Sequence, residues 1–160
     1  AGATSQRTAA AWEIINLCRP KIIRGNGSEI MALLNANVRS KGVDSNVSSG
    51  HALAAARELA METGSVVVIS GEIDYITNGT DVHTVEGGHP IMTAVTGMGC
   101  TSTALVGAFA AVETDPMVAA TAAMAVMSLV GERAAAKAHG NGSMQMHFLD
   151  ELYNLTPETL

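Results

Sequence analysis

Hydrophobic and polar positions in the first half of the chain alternate between helical and strand periods. Apolar stripes at helical spacing predict helices over 8–17, from Asn26, and over 48–63, while "KIIRG" at 21–25 and "SVVVIS" at 65–70 predict strands. The β-branched run at 65–70 is typical of a strand that is covered on both faces. A polar loop over 35–45 separates the second helix from the third.

The second half begins with a hairpin and continues as Ala-rich helices. Asn78-Gly79, inside "EIDYITNGTDVHTV", is a strong hairpin signal and predicts an antiparallel margin of the sheet. Beyond the loop "EGGHPIMTAVTG", helices are predicted at about 99–112, 116–137 and 144–154. Alternating helices and strands, with a parallel-type run among them, indicate a layered α/β fold.

Composition and charge narrow the class of protein. The 160 residues are 48% hydrophobic and 15% charged, which predicts one globular domain over 1–160. A net charge of −6 without a basic stripe argues against nucleic acid. The apolar run 117–130 is shorter than the roughly 20 residues of a spanning helix, so we expect a buried core helix and no membrane span. Two cysteines without CxxC spacing favour a reducing, cytoplasmic compartment.

Candidate chemistry collects where predicted strands end, at 24–29, 70–72 and 96–100. Ligands of open α/β sheets bind at the carboxyl ends of the strands. Gly97 and Gly99, with Met98 between them, precede a helix whose free N–H groups would attract an anion such as phosphate. The same Gly-x-Gly pattern can also be a simple tight turn, and its spacing does not fit a Walker A loop.

Cys100 follows these glycines in the first turn of the predicted helix, where the helix dipole favours a thiolate. The alternative is a small side chain packed against the sheet. A redox sensor would need a resolving thiol, and Cys18 lies in a different element. We therefore rank redox chemistry low.

Asn26 and Glu29, spaced three apart at a helix start, predict either a reciprocal capping arrangement or oxygen ligands around a Mg²⁺ ion that accompanies phosphates. Arg24 just before them is either a solvated charge or a partner for a phosphate oxygen. Ser70, at the end of the next strand, is either a ligand contact or a hydroxyl bonded to nearby backbone. Taken singly, the structural alternatives are favoured.

Six phrases together resemble the hydroxyethylthiazole kinase family, in order along the whole chain: "IRGNGSEIMAL", "GVDS", "VVVISGEIDYITNG", "GGHPIMTAVTGMGC", "GERAAAKAHGNGS" and "FLDELYNLT". The resemblance implies a ribokinase-like, three-layer αβα fold with a mostly parallel central sheet. It also implies transfer of the ATP γ-phosphoryl group to the primary hydroxyl of 4-methyl-5-(2-hydroxyethyl)thiazole, in thiamine biosynthesis or salvage.

The resemblance also implies site roles, residue by residue. Cys100 takes the catalytic position near the substrate hydroxyl, and Gly97 takes a substrate-contacting position. The implied anion hole is formed by Gly97, Met98 and Gly99, the implied ATP contacts by Arg24 and Ser70, and the implied Mg²⁺ support by Asn26 and Glu29. Ser70 stands where Thr is common, and Met98 where Thr or Ala is usual.

"AGAT" at the start matches the end of a longer family stretch, so the resemblance implies that N-terminal strands and part of the thiazole pocket are lacking. We expect a homotrimer, or a partner chain that supplies the N-terminal half. Two other functions stay open: a ribokinase-like kinase of another small alcohol such as hydroxymethylpyrimidine, and a non-catalytic nucleotide-binding module.

Overall fold

A computed structural model describes residues 1–38 and 49–160. Six helices and four strands form its regular structure. In chain order they are α1 (Ser5–Cys18), β1 (Ile22–Asn26), α2 (Gly27–Val38), α3 (Ser49–Thr63), β2 (Val66–Ser70), β3 (Ile73–Thr77), β4 (Val82–Glu86), α4 (Met98–Ala110), α5 (Pro116–Lys137) and α6 (Asn141–Tyr153). Short 3₁₀ helices occupy Pro90–Ala94 and Pro157–Thr159.

The four strands form one sheet in the order β1-β2-β3-β4. β1 and β2 are parallel, with Asn26 opposite Ser70 at their carboxyl ends. β2, β3 and β4 pair in antiparallel fashion. The loops 71–72 and 78–81 are too short for a crossover, so these neighbouring strands can only be antiparallel.

Helices cover both faces of the sheet. Alternate residues of β2 point to opposite sides: Val67 and Ile69 join a core with α1, α2 and α3, while Val66 and Val68 join a core with α4 and α5. β2 is buried at its first four positions, as its continuous apolar sequence predicts. A third core joins α5 and α6 around the fully buried Met144 and the nearly buried Phe148.

α5 is long and apolar enough to cross a membrane, but 61% of its most apolar window is buried inside the protein. Met124 packs in the core that α4 and α5 form with the sheet, and Val130 packs against α6. The observed surroundings of α5 are those of a core helix, as the sequence predicts.

The sequence-based elements agree with the structure in type and order, with shifted ends. α1 begins at Ser5 rather than Thr8 because the side chain of Thr4 caps it, and α6 begins at Asn141 rather than about 144. Within the described strands the sheet is mixed, with one parallel and two antiparallel pairs, so a mostly parallel sheet is not what this part of the chain shows. The predicted polar loop begins too early, since α2 continues to Val38, and its remaining positions lie outside the described residues.

Candidate functional site

Arg24 connects the three strand-end segments. It lies on β1, and its Nη1 atom donates a hydrogen bond to the carbonyl oxygen of Gly99 at 2.9 Å. Its Nη2 atom donates to the Oγ atom of Ser70 at the end of β2. One guanidinium therefore holds the ends of β1 and β2 against the beginning of α4, which places the three candidate segments in one site.

The surroundings of Arg24 are partly buried and unusual for a solvated charge. Burial lowers the pKa of its guanidinium, and the negative charges of Glu29 and Asp74 partly oppose this by favouring the charged form. Its Nε atom is buried and has no hydrogen-bond partner in the part of the chain that the structure describes. The ordinary surface-charge interpretation of Arg24 is therefore wrong.

Asn26 and Glu29 form the capping arrangement. The amide of Glu29 donates to Oδ1 of Asn26 at 2.9 Å, and the amide of Asn26 donates to Oε2 of Glu29 at 2.9 Å. The hydroxyl of Ser28 also donates to Oδ1 of Asn26 at 2.7 Å. The two side chains therefore begin α2, as the structural alternative predicts.

The same pair fits a Mg²⁺ ion only in a limited way. Oδ1 of Asn26 already accepts two hydrogen bonds, whereas the half-buried carboxylate of Glu29 uses Oε2 for its capping bond. Across residues 1–38 and 49–160 there is no cluster of three His, Cys, Asp or Glu side chains able to hold a metal ion. A single carboxylate suits Mg²⁺ that is bound mainly by water and substrate phosphates.

Gly97 begins α4 in a backbone conformation that favours glycine, with φ +92°. No side chain caps this helix start. The amide of Met98 makes only a long bond of 3.5 Å to the carbonyl oxygen of Val95, and first-turn amides have no partner inside the helix. Cys100 lies in this first turn and is exposed, which places an accessible thiol beside donors that suit an anion. The packed-core alternative for Cys100 is therefore wrong.

Asp74 is a residue of this region that sequence reasoning missed. It is the second residue of β3, only 8% exposed, and its Oδ1 atom accepts a hydrogen bond from the amide of Gly71 at 3.0 Å. Burial raises its pKa, and the Gly71 bond and the charge of Arg24 act in the opposite direction. An isolated acidic residue in a predicted strand was the only signal available in the sequence.

The segment before α4 is also anchored to the protein, which its loop-like sequence did not indicate. The amide of Gly88 donates to Oε1 of Glu132 on α5 at 3.1 Å. The side chain of Met92 packs directly against Gly131 on α5. A Cβ atom at position 131 would overlap the Met92 side chain. The path that leads into Gly97 is therefore fixed against α5.

Comparison with known proteins identifies the relatives of this chain. The model of the "Hydroxyethylthiazole kinase family" matches residues 1–158. A hydroxyethylthiazole kinase of Granulibacter bethesdensis is 52% identical over 154 residues, which are 96% of this chain and 56% of that relative.

Solved structures show the same likeness in three dimensions. The hydroxyethylthiazole kinase of Pyrococcus horikoshii matches with a TM-score of 0.86 and 31% identity, over 99% of this chain and 58% of that one. A ribokinase-like superfamily protein of Enterococcus faecalis matches with a TM-score of 0.60 and 18% identity, over 91% of this chain and 52% of that one, which is a likeness of fold alone. The chain thus spans somewhat more than half the length of these relatives.

Proposed function

Because the chain belongs to the hydroxyethylthiazole kinase family, we propose that it carries the phosphoryl-transfer machinery of a kinase that acts on the primary hydroxyl of 4-methyl-5-(2-hydroxyethyl)thiazole, with ATP as donor. The product would be the thiazole monophosphate used in thiamine biosynthesis or salvage. The relative from Granulibacter bethesdensis, which is 52% identical, is named hydroxyethylthiazole kinase, and this supports the proposed activity.

The single observation that carries this function is the bridge made by Arg24. Its guanidinium joins Ser70, proposed to contact ATP, to Gly99, proposed to form the anion hole. In a phosphoryl transfer, the phosphate donor and the acceptor hydroxyl must be aligned. A cation fixed between their two binding segments supplies both this alignment and positive charge for the phosphate oxygens. Arg24 therefore serves as an ATP contact whose geometry is fixed by the anion-hole loop.

Each end of the site has its own task. Gly97, Met98 and Gly99 offer backbone amides at the N-terminus of α4, where negative charge on the transferred group would be stabilised. Gly97 also approaches the substrate closely. Cys100 is exposed in the same turn, and in its thiolate form it would take the proton of the substrate hydroxyl during attack and become the neutral thiol. Because phosphoryl transfer needs little covalent help, Cys100 assists, and the electrostatic groups contribute more.

Asn26 and Glu29 would support Mg²⁺ at the phosphates. Mg²⁺ supplies neutralisation of phosphate charge when it is bound. Asn26 keeps Glu29 in place through the reciprocal capping bonds, and the carboxylate oxygen of Glu29 that the capping bond does not use would hold the ion through water. Stability of the helix start and binding of the metal are thus combined in one pair of side chains.

The finer family features belong to the same proposal. They are a three-layer αβα architecture, a homotrimer and a cytoplasmic location. Helices on both faces of the sheet support the layered architecture. The expected partner of the chain is otherwise the small-molecule substrate, with no nucleic acid and no membrane.

A substrate-exchange experiment tests the choice of alcohol. Purified protein with Mg-ATP is given hydroxyethylthiazole or hydroxymethylpyrimidine at equal concentration, and ADP release is followed by a coupled assay. Faster turnover of the thiazole by at least about tenfold is expected, because a pocket built for one alcohol discriminates by differential contacts. Preference for the pyrimidine contradicts the thiazole assignment, and ATP binding without turnover of either alcohol supports a non-catalytic nucleotide-binding module.

A further inference from the structure

Asp74 occupies a place in the site that none of the proposed roles explains. Its carboxylate is 8% exposed and accepts a hydrogen bond from the amide of Gly71 at 3.0 Å. Gly71 directly follows Ser70, whose hydroxyl accepts a hydrogen bond from Arg24. The side chain of Asp74 therefore fixes the backbone turn from which Ser70 reaches the arginine.

The charge of Asp74 also acts on the same arginine through space. Both hydrogen bonds of the Arg24 guanidinium end on uncharged oxygen atoms, those of Gly99 and Ser70. The carboxylates that favour its charged form through space are Glu29 and, more weakly, Asp74. Glu29 lies on α2, where one of its carboxylate oxygens accepts the capping bond from the amide of Asn26. Asp74 is thus a buried carboxylate on β3 whose charge acts on the guanidinium through space, without a direct bond between them in the described residues.

Keeping a carboxylate in this position is costly for folding. Burial disfavours its ionised form more than the Gly71 bond and Arg24 favour it, so the pKa of Asp74 is raised. A buried polar group without structural benefit would be replaced at little cost by an apolar one. Ionisable groups whose burial disfavours their charged form, and which lie next to a binding site, are typical of functional positions.

We infer that Asp74 is a positioning residue for the nucleotide: by holding the amide of Gly71, it fixes the neighbouring Ser70 and, through the Ser70 hydroxyl, Arg24, so that both side chains are presented to the phosphates of ATP as a preformed pair. This inference rests on the proposed kinase function. Asp74 itself does not touch the nucleotide. It acts through Ser70 and Arg24, and its effect is confined to ATP.

The test measures binding of a fluorescent N-methylanthraniloyl ATP with Mg²⁺ to wild type, Asp74→Asn and Asp74→Ala, followed by KM for ATP and for hydroxyethylthiazole. Asp74→Asn retains an oxygen for Gly71 and loses the charge, while Asp74→Ala loses both. We expect Kd for the nucleotide to rise about threefold in Asp74→Asn and about tenfold in Asp74→Ala, with KM for the thiazole unchanged.

The control is Asp81→Asn, which changes an exposed carboxylate in the turn of the same hairpin, bonded to Asn78. A Ser70→Ala/Asp74→Ala double variant should be less impaired than the two single effects combined, because both changes act on one contact. If Asp74→Ala does not fold, the nucleotide Kd of the near-isosteric Asp74→Asn variant tests the positioning role.

Two kinds of failure are distinguishable. If wild type binds the nucleotide and phosphorylates the thiazole but both Asp74 variants bind as wild type does, or Asp74→Asn binds more tightly, the positioning role is wrong and the kinase function stands. Equal increases in both KM values indicate a general structural role and also contradict it. If wild type itself binds no nucleotide, the proposed function fails, and the role of Asp74 fails with it.

Discussion

The Nη1 atom of Arg24 donates to the carbonyl oxygen of Gly99 at 2.9 Å, although the two residues are 75 positions apart in the sequence. This bond attaches the first turn of α4 to the end of β1. The Oγ atom of Ser70 accepts a hydrogen bond from Nη2 of the same guanidinium. A cation in the sheet thus determines where the proposed anion hole stands relative to the proposed ATP contacts.

Replacement of Arg24 by lysine should weaken ATP binding without removing the charge. A lysine has a single ammonium group and cannot reproduce the two-armed geometry that reaches Ser70 and Gly99 together. We expect KM for ATP to rise about tenfold, equivalent to about 1.4 kcal/mol, in steady-state kinetics. Arg57→Lys, on the exposed side of α3, is the matched control and should behave as wild type. Unchanged ATP kinetics in Arg24→Lys would contradict the bridging role.

Two glycines of α4 should respond oppositely to alanine. A Cβ atom at Gly99 would lie 3.0 Å from Nη1 of Arg24, so the guanidinium must shift and KM for ATP should rise about fivefold. A Cβ atom at Gly107 meets nothing within 4 Å, and Gly107→Ala should stabilise the helix by about 0.5–1 kcal/mol. Urea unfolding and ATP kinetics on both variants check this pair. Equal effects of the two substitutions would show that Gly99 is an ordinary helical glycine.

Glu29→Gln separates capping from metal support. Gln can replace Glu in a capping box, so the free energy of unfolding should stay within about 0.5 kcal/mol of wild type. The lost negative charge should raise the Mg²⁺ concentration for half-maximal activity by about tenfold. Urea unfolding and Mg²⁺ titration of the activity provide the two readouts, with Glu58→Gln on α3 as control. A stable variant with an unchanged Mg²⁺ requirement would leave Glu29 with a capping role only.

Cys100→Ala should reduce kcat by about 10²-fold and leave KM for ATP within about twofold, because the proposed role of Cys100 is to accept the proton of the acceptor hydroxyl during attack. Cys18→Ala, at the exposed last position of α1, is the control for loss of a surface thiol. Steady-state kinetics at saturating Mg²⁺ measure both variants. Wild-type kcat in Cys100→Ala would assign the hydroxyl proton to another acceptor.

Stability should depend on pH through Asp74. Because its pKa is raised in the folded state, the folded protein binds the proton more tightly, and Asp74 stabilises it progressively as the pH falls through that raised pKa. At neutral pH the buried charge is unfavourable, so Asp74→Asn should be the more stable protein there. Urea unfolding from neutral to acidic pH should show this advantage shrinking as the pH falls. A difference that does not vary with pH would contradict the burial effect.

Local patterns in the sequence predict the elements well and the site partly. The apolar run 66–70 and the Asn78-Gly79 turn identify β2 and the hairpin because strand burial and turn chemistry are local properties. The three-residue spacing of Asn26 and Glu29 is enough to predict their capping box. Partners far apart in the chain are not accessible in this way: neither the bonds of Arg24 to Ser70 and Gly99 nor the buried charge of Asp74 follows from any short motif.

Two differences from the sequence-based elements remain. The 3₁₀ helix at Pro90–Ala94 lies where the sequence predicts a loop, although its start signals are local: Pro90 stands in its first turn, and the His89 side chain accepts a hydrogen bond from the amide of Ile91. The mixed sheet follows from the short loops 71–72 and 78–81, whereas the resemblance by itself implied mostly parallel strands.

Phosphorus NMR of a reaction with Mg-ATP and hydroxyethylthiazole tests the central claim most directly. The 160-residue chain and the longest reading frame that encodes it are measured side by side, with Cys100→Ala versions of both. The account predicts a thiazole monophosphate signal that grows with ADP in wild type and is strongly reduced in the Cys100→Ala protein. Absence of that signal from both wild-type proteins, with ATP bound but not consumed, would contradict the kinase function.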